Sequence, residues 1–350
     1  MMKTEKGYAR LYKVYGRSEG EVRDRLRPIL KQGGAAVVYT RRRGKEIQVL
    51  AETGEQDEER AKAVSRPVAA EIKRALGDWY YSTRENETME EAVVRLLIKY
   101  NLTVSTAESC TGGMIAAKLV NVAGVSEVFR EGYVTYSNKA KRKLLKVGKT
   151  TLKEYGAVSR QTAKEMAEGG MALADSDICV AVTGIAGPDG GTKEKPVGLV
   201  FIGCCVRGET EVEKWNFRGS RQEIREQSAL AALDLLRRMI LKNFRLTGGF
   251  MRWYEELYVG KKAKKVRYSI IQAVREGRPL GYYVLTPAAN EQNLLDLYPA
   301  VTLSLPYYRE KDLLIVGVAL DFEDAAALAG RMISEVYRKT GGFDIRSYLL

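Results

Sequence analysis

The stretch Thr103-Val104-Ser105-Thr106-Ala107-Glu108-Ser109-Cys110-Thr111-Gly112-Gly113 limits the fold more than any other. It reads as a short strand, a turn dense in hydroxyls, and a helix entered through a glycine pair. A turn of that kind aims backbone N–H groups at whatever lies over it. It also presents Ser109 and Thr111 at a strand's end, where open α/β sheets place their ligands. A second anchor is Ile178-Cys179-Val180-Ala181-Val182, a continuous apolar run of the kind found in strands buried on both faces. It leads into Thr183-Gly184-Ile185-Ala186-Gly187-Pro188-Asp189-Gly190-Gly191-Thr192, whose glycines free the backbone for positive φ and for close approach to a ligand.

Around these anchors the chain divides into three expected domains: 1–84, 85–247 and 250–350. In the first, residues 7–16 read as a strand and 20–31 as a short helix. Runs 35–40 and 46–51 form a hairpin around Arg41-Arg42-Arg43-Gly44-Lys45, and 57–76 is a second helix. This is a small α+β module. Gly33-Gly34 leads into a strand, and no Gly-x-x-Gly loop joins two helices. Residues 83–89 are polar and read as a linker, with Thr88 and Glu91 spaced as a capping box that opens a helix. Strands are expected at 132–136 and 197–206, a pairing partner at 209–217, and a helix from about 223 to 241. After Gly248-Gly249 the chain changes character. Candidate strands at 281–285, 313–319 and 343–349 and a helix at 323–339 give a further α+β domain with no catalytic constellation. The fold class is therefore α/β: a central α/β/α domain with a mixed, largely parallel sheet, flanked by two small α+β domains.

The chain contains no histidine. That removes Ser-His-Asp triads, Cys-His dyads, His-ligated zinc and imidazole bases together. A base must come from Lys, Asp, Glu, Tyr or a thiolate. The four cysteines, Cys110, Cys179, Cys204 and Cys205, show no CxxC spacing, so neither a disulfide framework nor a zinc site is expected. No metal or cofactor is called for. Ser109 suits a nucleophile over backbone donors; the alternative is an N-cap serine without chemistry. Lysine is then the natural base, provided its pKa is lowered so that the amine is neutral. Lys141, just past the strand that ends Tyr136-Ser137-Asn138, is the preferred candidate, with Lys139, Arg142 and Lys143 as the cations expected to depress it. Otherwise the basic run from Lys139 to Lys149 is a solvated helix face. Tyr136 is placed to relay or orient the proton. Arg221, at a helix start, can grip a phosphate with its planar fork, or be a surface arginine. The candidate binding set is Thr111, Gly112, Gly113, Thr183, Gly184, Gly187 and Arg221.

The net charge is +13, more than half of it in the first 84 residues. Such a surface suits an anionic ligand or nucleic acid. Nucleic acid stands as a candidate partner through the basic hairpin, whose alternative is a solvated tip on a spacer or dimerisation domain. No run of eighteen uncharged apolar residues occurs and the N-terminus lacks a signal-peptide core, so a cytoplasmic protein without a membrane partner is expected.

Thr106-Ala107-Glu108-Ser109-Cys110-Thr111-Gly112-Gly113, Tyr136-Ser137-Asn138-Lys139-Ala140-Lys141, Thr183–Gly191 and Lys195-Pro196-Val197-Gly198 closely resemble the motifs of the CinA C-terminal family, over about residues 87–242. That family comprises nicotinamide-nucleotide amidases. The resemblance implies a Ser–Lys amidohydrolase that converts nicotinamide mononucleotide, a pyridine mononucleotide, to nicotinate mononucleotide and ammonia. Ser109 matches the nucleophile and Lys141 the lysine, while Tyr136 and Arg221 match positions that assist catalysis and hold substrate. Residues 7–84 look like the K-homology-like middle domain of longer CinA proteins. A homo-oligomer, a dimer, is the expected assembly. The large N-terminal nucleotide-hydrolase domain has no counterpart here, so pyrophosphatase activity is not expected. The last hundred residues match nothing in the family. The rival reading is an idle CinA-like adaptor that binds nucleotides or nucleic acid.

Overall fold

The computed structural model describes residues 1–30, 34, 36–100, 102–206, 208–244, 252–275, 281–290, 293–305, 308, 313–349. Gly33, Ala35 and the Gly248-Gly249 break lie outside the described residues. The chain forms two compact units, Met1–Asn243 and Phe244–Leu350.

In the first unit, β1 (Met2–Lys3), β2 (Tyr8–Tyr15), β3 (Val37–Arg43), β4 (Glu46–Thr53) and β5 (Tyr80–Ser82) make an antiparallel sheet in the order β1-β2-β4-β3, with β5 also on β2. Helices α1 (Glu19–Leu30), α2 (Glu58–Val64) and α3 (Arg66–Leu76) accompany it. Tyr12, Val14, Val22, Leu26, Ile47, Val49, Ile72 and Leu76 form its core. The single helix expected at 57–76 is two helices. Pro67 sits in the first turn of α3 and has no N–H for the helix to continue through. Ser65 closes α2 instead, its hydroxyl donating to the Ala61 carbonyl at 2.6 Å.

The rest of this unit is a helix–sheet–helix layering. Its elements are α4 (Met89–Tyr100), β6 (Val104–Glu108), α5 (Met114–Val120), β7 (Phe129–Val134), α6 (Asn138–Leu145), α7 (Lys149–Glu154), α8 (Arg160–Ala174), β8 (Ile178–Gly184), β9 (Leu199–Val206), β10 (Glu209–Asn216) and α9 (Arg221–Phe244). The sheet order is β10-β9-β8-β6-β7. β6 runs parallel to both β7 and β8, whereas β9 and β10 are antiparallel, so the sheet is mixed. The expected capping box opens α4: Thr88 N–H donates to Glu91 Oε2 at 2.7 Å and Glu91 N–H to Thr88 Oγ1 at 3.3 Å. All five residues of β6 are buried, as a central strand between two parallel neighbours requires.

Glycines let α8 lie close to its neighbours. A Cβ on Gly170 would stand 2.6 Å from Cys179 Sγ of β8, and one on Gly169 only 1.9 Å from the Leu145 carbonyl of α6. The N-terminal sheet joins this layer through a buried arginine on α9. Arg237, 1% exposed, pairs with Asp234 at 2.8 Å and donates to the carbonyls of Asp78 at 2.6 Å and Tyr80 at 3.2 Å. Residues 1–84 thus have their own sheet and core but share one compact unit with 85–243.

The second unit is an α+β fold. Strands β11 (Arg252–Val259), β12 (Tyr283–Pro287), β13 (Leu295–Pro299) and β14 (Leu314–Ala319) form a sheet in the order β11-β14-β12-β13, packed with helices α10 (Arg267–Arg275) and α11 (Phe322–Thr340). β11 and β13 are absent from the sequence reading: the adjacent Glu255 and Glu256 break the alternation of β11, and β13 is only five residues long. The expected strand at 343–349 is instead a short helix, α12 (Ile345–Leu349). Ile345 and Leu349, four apart, both bury into the α11 core, and periodicity alone does not separate strand from helix over so short an apolar run. This unit carries a basic cluster, Lys261, Lys262, Lys264, Lys265 and Arg267, of which Lys262 is held by Asp321 at 2.9 Å and Glu323 at 3.0 Å.

Because α6 cannot retreat without dragging its inward residues, Gly169→Ala should destabilise the fold by about 3 kcal/mol, the upper range for overpacking. Chemical denaturation of the variant beside wild type measures this.

Candidate active site

Three parallel strands end side by side, and their C-terminal loops build the site. Ser109 follows β6 directly, and its N–H donates to the Val182 carbonyl of β8 at 3.0 Å. On the other side Thr135, after β7, donates its N–H to the Glu108 carbonyl at 2.8 Å. The Ser109 turn, the segment Thr135–Lys141 and the glycine loop after β8 are thereby neighbours, at the end of the sheet where such folds bind ligands.

Ser137 caps α6, accepting from Ala140 N–H at 3.0 Å. That start fixes the helix phase. Lys141 and Leu145, four apart, then share the inward face: Leu145 enters the apolar cluster with Ala107, Met166 and Ala181, and Lys141 enters beside it. Lys141 is 1% exposed. Its Nζ donates to Ser109 Oγ at 2.9 Å and to the Thr135 carbonyl at 2.7 Å. Burial lowers its pKa from 10.5 to about 8, opposed weakly by Cys110. The cause differs from the sequence expectation. Lys139, Arg142 and Lys143 are exposed. Removal of the ammonium from water lowers the pKa, and like-charge crowding does not.

Burial disfavours one competing base and hydrogen bonding occupies another. The Cys110 thiol, 6% exposed, is pushed up to about 12 by burial, so it holds its proton. Glu108, fully buried, accepts from the N–H groups of Gly113 at 3.0 Å, Ile115 at 3.1 Å and Ala116 at 2.9 Å, and so acts as the cap of α5. Two of the backbone donors of the Ser109 turn are engaged. Gly113 N–H is spent on Glu108, and Gly112 N–H on the Ser109 carbonyl at 3.1 Å. Among the described residues, the N–H groups of Thr111 and Met114 carry no hydrogen bond, and the buried Thr111 hydroxyl has no partner.

Tyr136 is 63% exposed, and its hydroxyl accepts from Arg221 Nη2 at 3.1 Å. It does not hydrogen-bond Lys141 or Ser109; the backbone of its neighbour Thr135 holds Lys141 instead. Arg221 also donates from Nη1 to the Gly187 carbonyl. It therefore clasps the glycine loop to Tyr136, with three N–H donors of its fork left over. A capping box of Ser220 and Glu223 sets the start of α9 that carries it. Thr183 spends its hydroxyl proton on the Ala157 carbonyl at 2.7 Å. The glycines of that loop are needed for packing. A Cβ on Gly184 would stand 2.6 Å from Val200 Cγ2, and one on Gly187 2.6 Å from Val197 Cγ1. The loop N–H groups of Gly187, Asp189, Gly190 and Gly191 carry no hydrogen bond among the described residues. Lys195, quoted above only as part of a motif, straps the loop by donating to the carbonyls of Tyr155 at 2.7 Å and Val158 at 2.9 Å.

The sequence reading missed Arg225. It lies four residues after Arg221, on the same face of α9, and its Nη2 donates to the Thr111 carbonyl at 2.8 Å. The i, i+4 spacing was the available signal.

The fold and site define an α/β protein with a buried Ser–Lys pair at the carboxyl ends of a mixed sheet. Residues 86–240 match the model of the CinA C-terminal domain, and that segment of the chain belongs to this family. A Clostridium beijerinckii protein named for competence-damage inducibility is 45% identical over 236 residues, which is 67% of this chain and 57% of that protein. The CinA-like protein of Kosmotoga olearia is 44% identical over 234 residues, again 67% and 57%. The crystal structure of the competence/damage inducible protein CihA from Agrobacterium tumefaciens is 45% identical, with 44% of this chain and 96% of that chain covered and a TM-score of 0.41. The chain spans little more than half the length of the Clostridium and Kosmotoga proteins. Among the described residues no helix is long and apolar enough to cross a membrane.

Glu108→Ala would leave three backbone donors without their acceptor. At about 1–3 kcal/mol for each buried unsatisfied group, the loss should reach at least 3 kcal/mol. A fall in the thermal midpoint, with Glu108→Gln in between, checks it.

Proposed function

We propose that this protein is an amidohydrolase acting through a Ser–Lys dyad, with nicotinamide mononucleotide as substrate and nicotinate mononucleotide and ammonia as products. The observation that carries this reading is the 2.9 Å hydrogen bond between Lys141 Nζ and Ser109 Oγ, made by an amine whose pKa burial has brought to about 8. The substrate comes from the family resemblance. A chain without histidine needs another neutral base near pH 8, and a desolvated lysine is one.

Neutral Lys141 takes the Ser109 proton as Oγ attacks the carboxamide carbon. The carbonyl π pair moves onto oxygen, where the uncommitted N–H groups of the Ser109 turn can meet it. The tetrahedral adduct reforms its carbonyl and breaks the C–N bond, and Lys141 returns the proton to the departing ammonia. Water then adds to the ester with Lys141 again as base. The C–O bond to Ser109 breaks, and Ser109 leaves as the hydroxyl with that proton. The sum is amide plus water to acid plus ammonia. Arg221 and the open loop N–H groups suit the phosphate, and Tyr136 offers a wall beside it.

Ammonia release from nicotinamide mononucleotide tests the reading. Ser109→Ala and Lys141→Ala should each lower kcat by at least about 1,000-fold, since dyad members act as a unit. Unchanged turnover in either rejects the dyad. The working form of Lys141 is deprotonated, so kcat/KM should rise with pH along a limb centred near 8, where a surface lysine would place it near 10.5. The groups facing this amine are Ser109 Oγ, the Thr135 carbonyl and the protonated Cys110 thiol, and none of them titrates within that limb. A rate independent of pH from 6 to 10 would remove lysine as the base.

A further inference from the structure

The catalytic turn contains a conformational problem. Gly112 and Gly113, at φ +61° and +91°, follow Ser109, Cys110 and Thr111 in direct succession. Two glycines admit many backbone states, yet Ser109 Oγ must stay on Lys141 and the open donors must keep one arrangement. Two bonds already oppose this freedom, Gly113 N–H to Glu108 Oε2 at 3.0 Å and, on the peptide between Thr111 and Gly112, Gly112 N–H to the Ser109 carbonyl at 3.1 Å. The other end of that same peptide unit, the Thr111 carbonyl, accepts from Arg225 Nη2 at 2.8 Å, and among the described residues no other donor reaches it. Because a peptide is a rigid plane, holding its carbonyl and its N–H fixes the whole unit.

Arg225 suits a clamp. It is half-buried, and Nη1 contacts Gln222 Oε1 at 3.4 Å on its own helix. It has no carboxylate partner among the described residues. Its Nη2 lies 3.5 Å from where a Cβ on Gly112 would stand, so the guanidinium rests on the glycine. Arg221, one turn earlier, faces the glycine loop and Tyr136. The same helix face thus sends one arginine to each of the two loops of the site.

We propose that Arg225 is a positioning residue for the reaction: by holding the Thr111 carbonyl it locks the Ser109–Gly112 turn, keeping Ser109 aligned with Lys141 and the free turn N–H groups in place for the oxyanion. The proposal deepens the amidohydrolase reading and rests on it. It separates two roles on one helix, with Arg221 for binding and Arg225 for turnover.

The experiment uses the full chain. The kcat and KM for nicotinamide mononucleotide are measured for wild type, Arg225→Ala, Arg225→Lys and Arg221→Ala. In parallel, the rate at which a fluorophosphonate labels Ser109 is followed by mass spectrometry. Arg225→Ala should lose about 10- to 100-fold in kcat, less than a direct oxyanion donor is worth, with KM within about twofold. Added guanidinium should restore part of the loss, and Arg225→Lys should fall between. Arg221→Ala should chiefly raise KM. The labelling rate of Arg225→Ala should drop in step with kcat. An unchanged kcat, a raised KM at constant kcat, or a loss that guanidinium does not rescue and that follows a lowered thermal midpoint would each overturn the positioning role. Wild type that labels at Ser109 but releases no ammonia would reject the substrate, and the labelling rates would still decide for or against Arg225. Wild type that neither labels nor turns over would overturn both.

Discussion

The site depends on one buried amine. Lys141 is among the largest fully buried side chains of the protein, in company otherwise made up mostly of leucine and isoleucine. Burying an ammonium is costly, and the fold meets that cost by letting the group shed its proton more readily and by giving it two acceptors. The same burial that makes the residue expensive makes its amine easier to deprotonate. Ser109 Oγ and the Thr135 carbonyl take two directions of the amine, so its position is determined as well as its pKa.

Much of the surrounding architecture keeps that amine where it is. α6 is capped by Ser137 and pressed onto α8 at the Leu145–Gly169 crossing, which sets its depth. Glu108 ends the central strand by gathering the first N–H groups of α5, and so fixes the direction in which the Ser109 turn leaves the sheet. A negative group at a helix start is also favoured by the helix dipole. The consequence is chemical as well as structural. The N-terminus of this helix is already occupied by a side chain, whereas Arg221 and several N–H groups of the glycine loop keep donors uncommitted among the described residues.

The N-terminal sheet is more than an appendage of this unit. Arg237 of α9 reaches its backbone at Asp78 and Tyr80, and the Tyr15 hydroxyl donates to the Gln227 carbonyl at 3.3 Å, within the stretch of α9 that follows Arg221 and Arg225. A helix that supplies both arginines of the site is therefore braced along its length by the first 84 residues. The second unit has its own sheet and two apolar layers, and its basic cluster is partly absorbed by its own carboxylates.

The amino-acid sequence alone determined the kind of chemistry open to this protein. Without histidine the base had to be sought elsewhere, and the strand–turn–helix around Ser109 and the apolar run at 178–182 marked an α/β sheet with its ligand end. Local signals of this type survive in sequence because capping boxes, turn glycines and periodicity act over a few residues. Only the tertiary structure decided what each polar group does there. Exposed neighbours could not show that burial lowers the Lys141 pKa. Glu108 and Gly113 could not reveal that they spend their hydrogen bonds on each other. The glycines at 184 and 187 read as room for a ligand, but Val200 and Val197 fill that room. Arg225 looked like any basic residue on a long helix until its partner, more than a hundred residues away in sequence, came within 2.8 Å. Desolvation and hydrogen-bond pairing are properties of neighbours in space, and a chain's order specifies those only once it has folded.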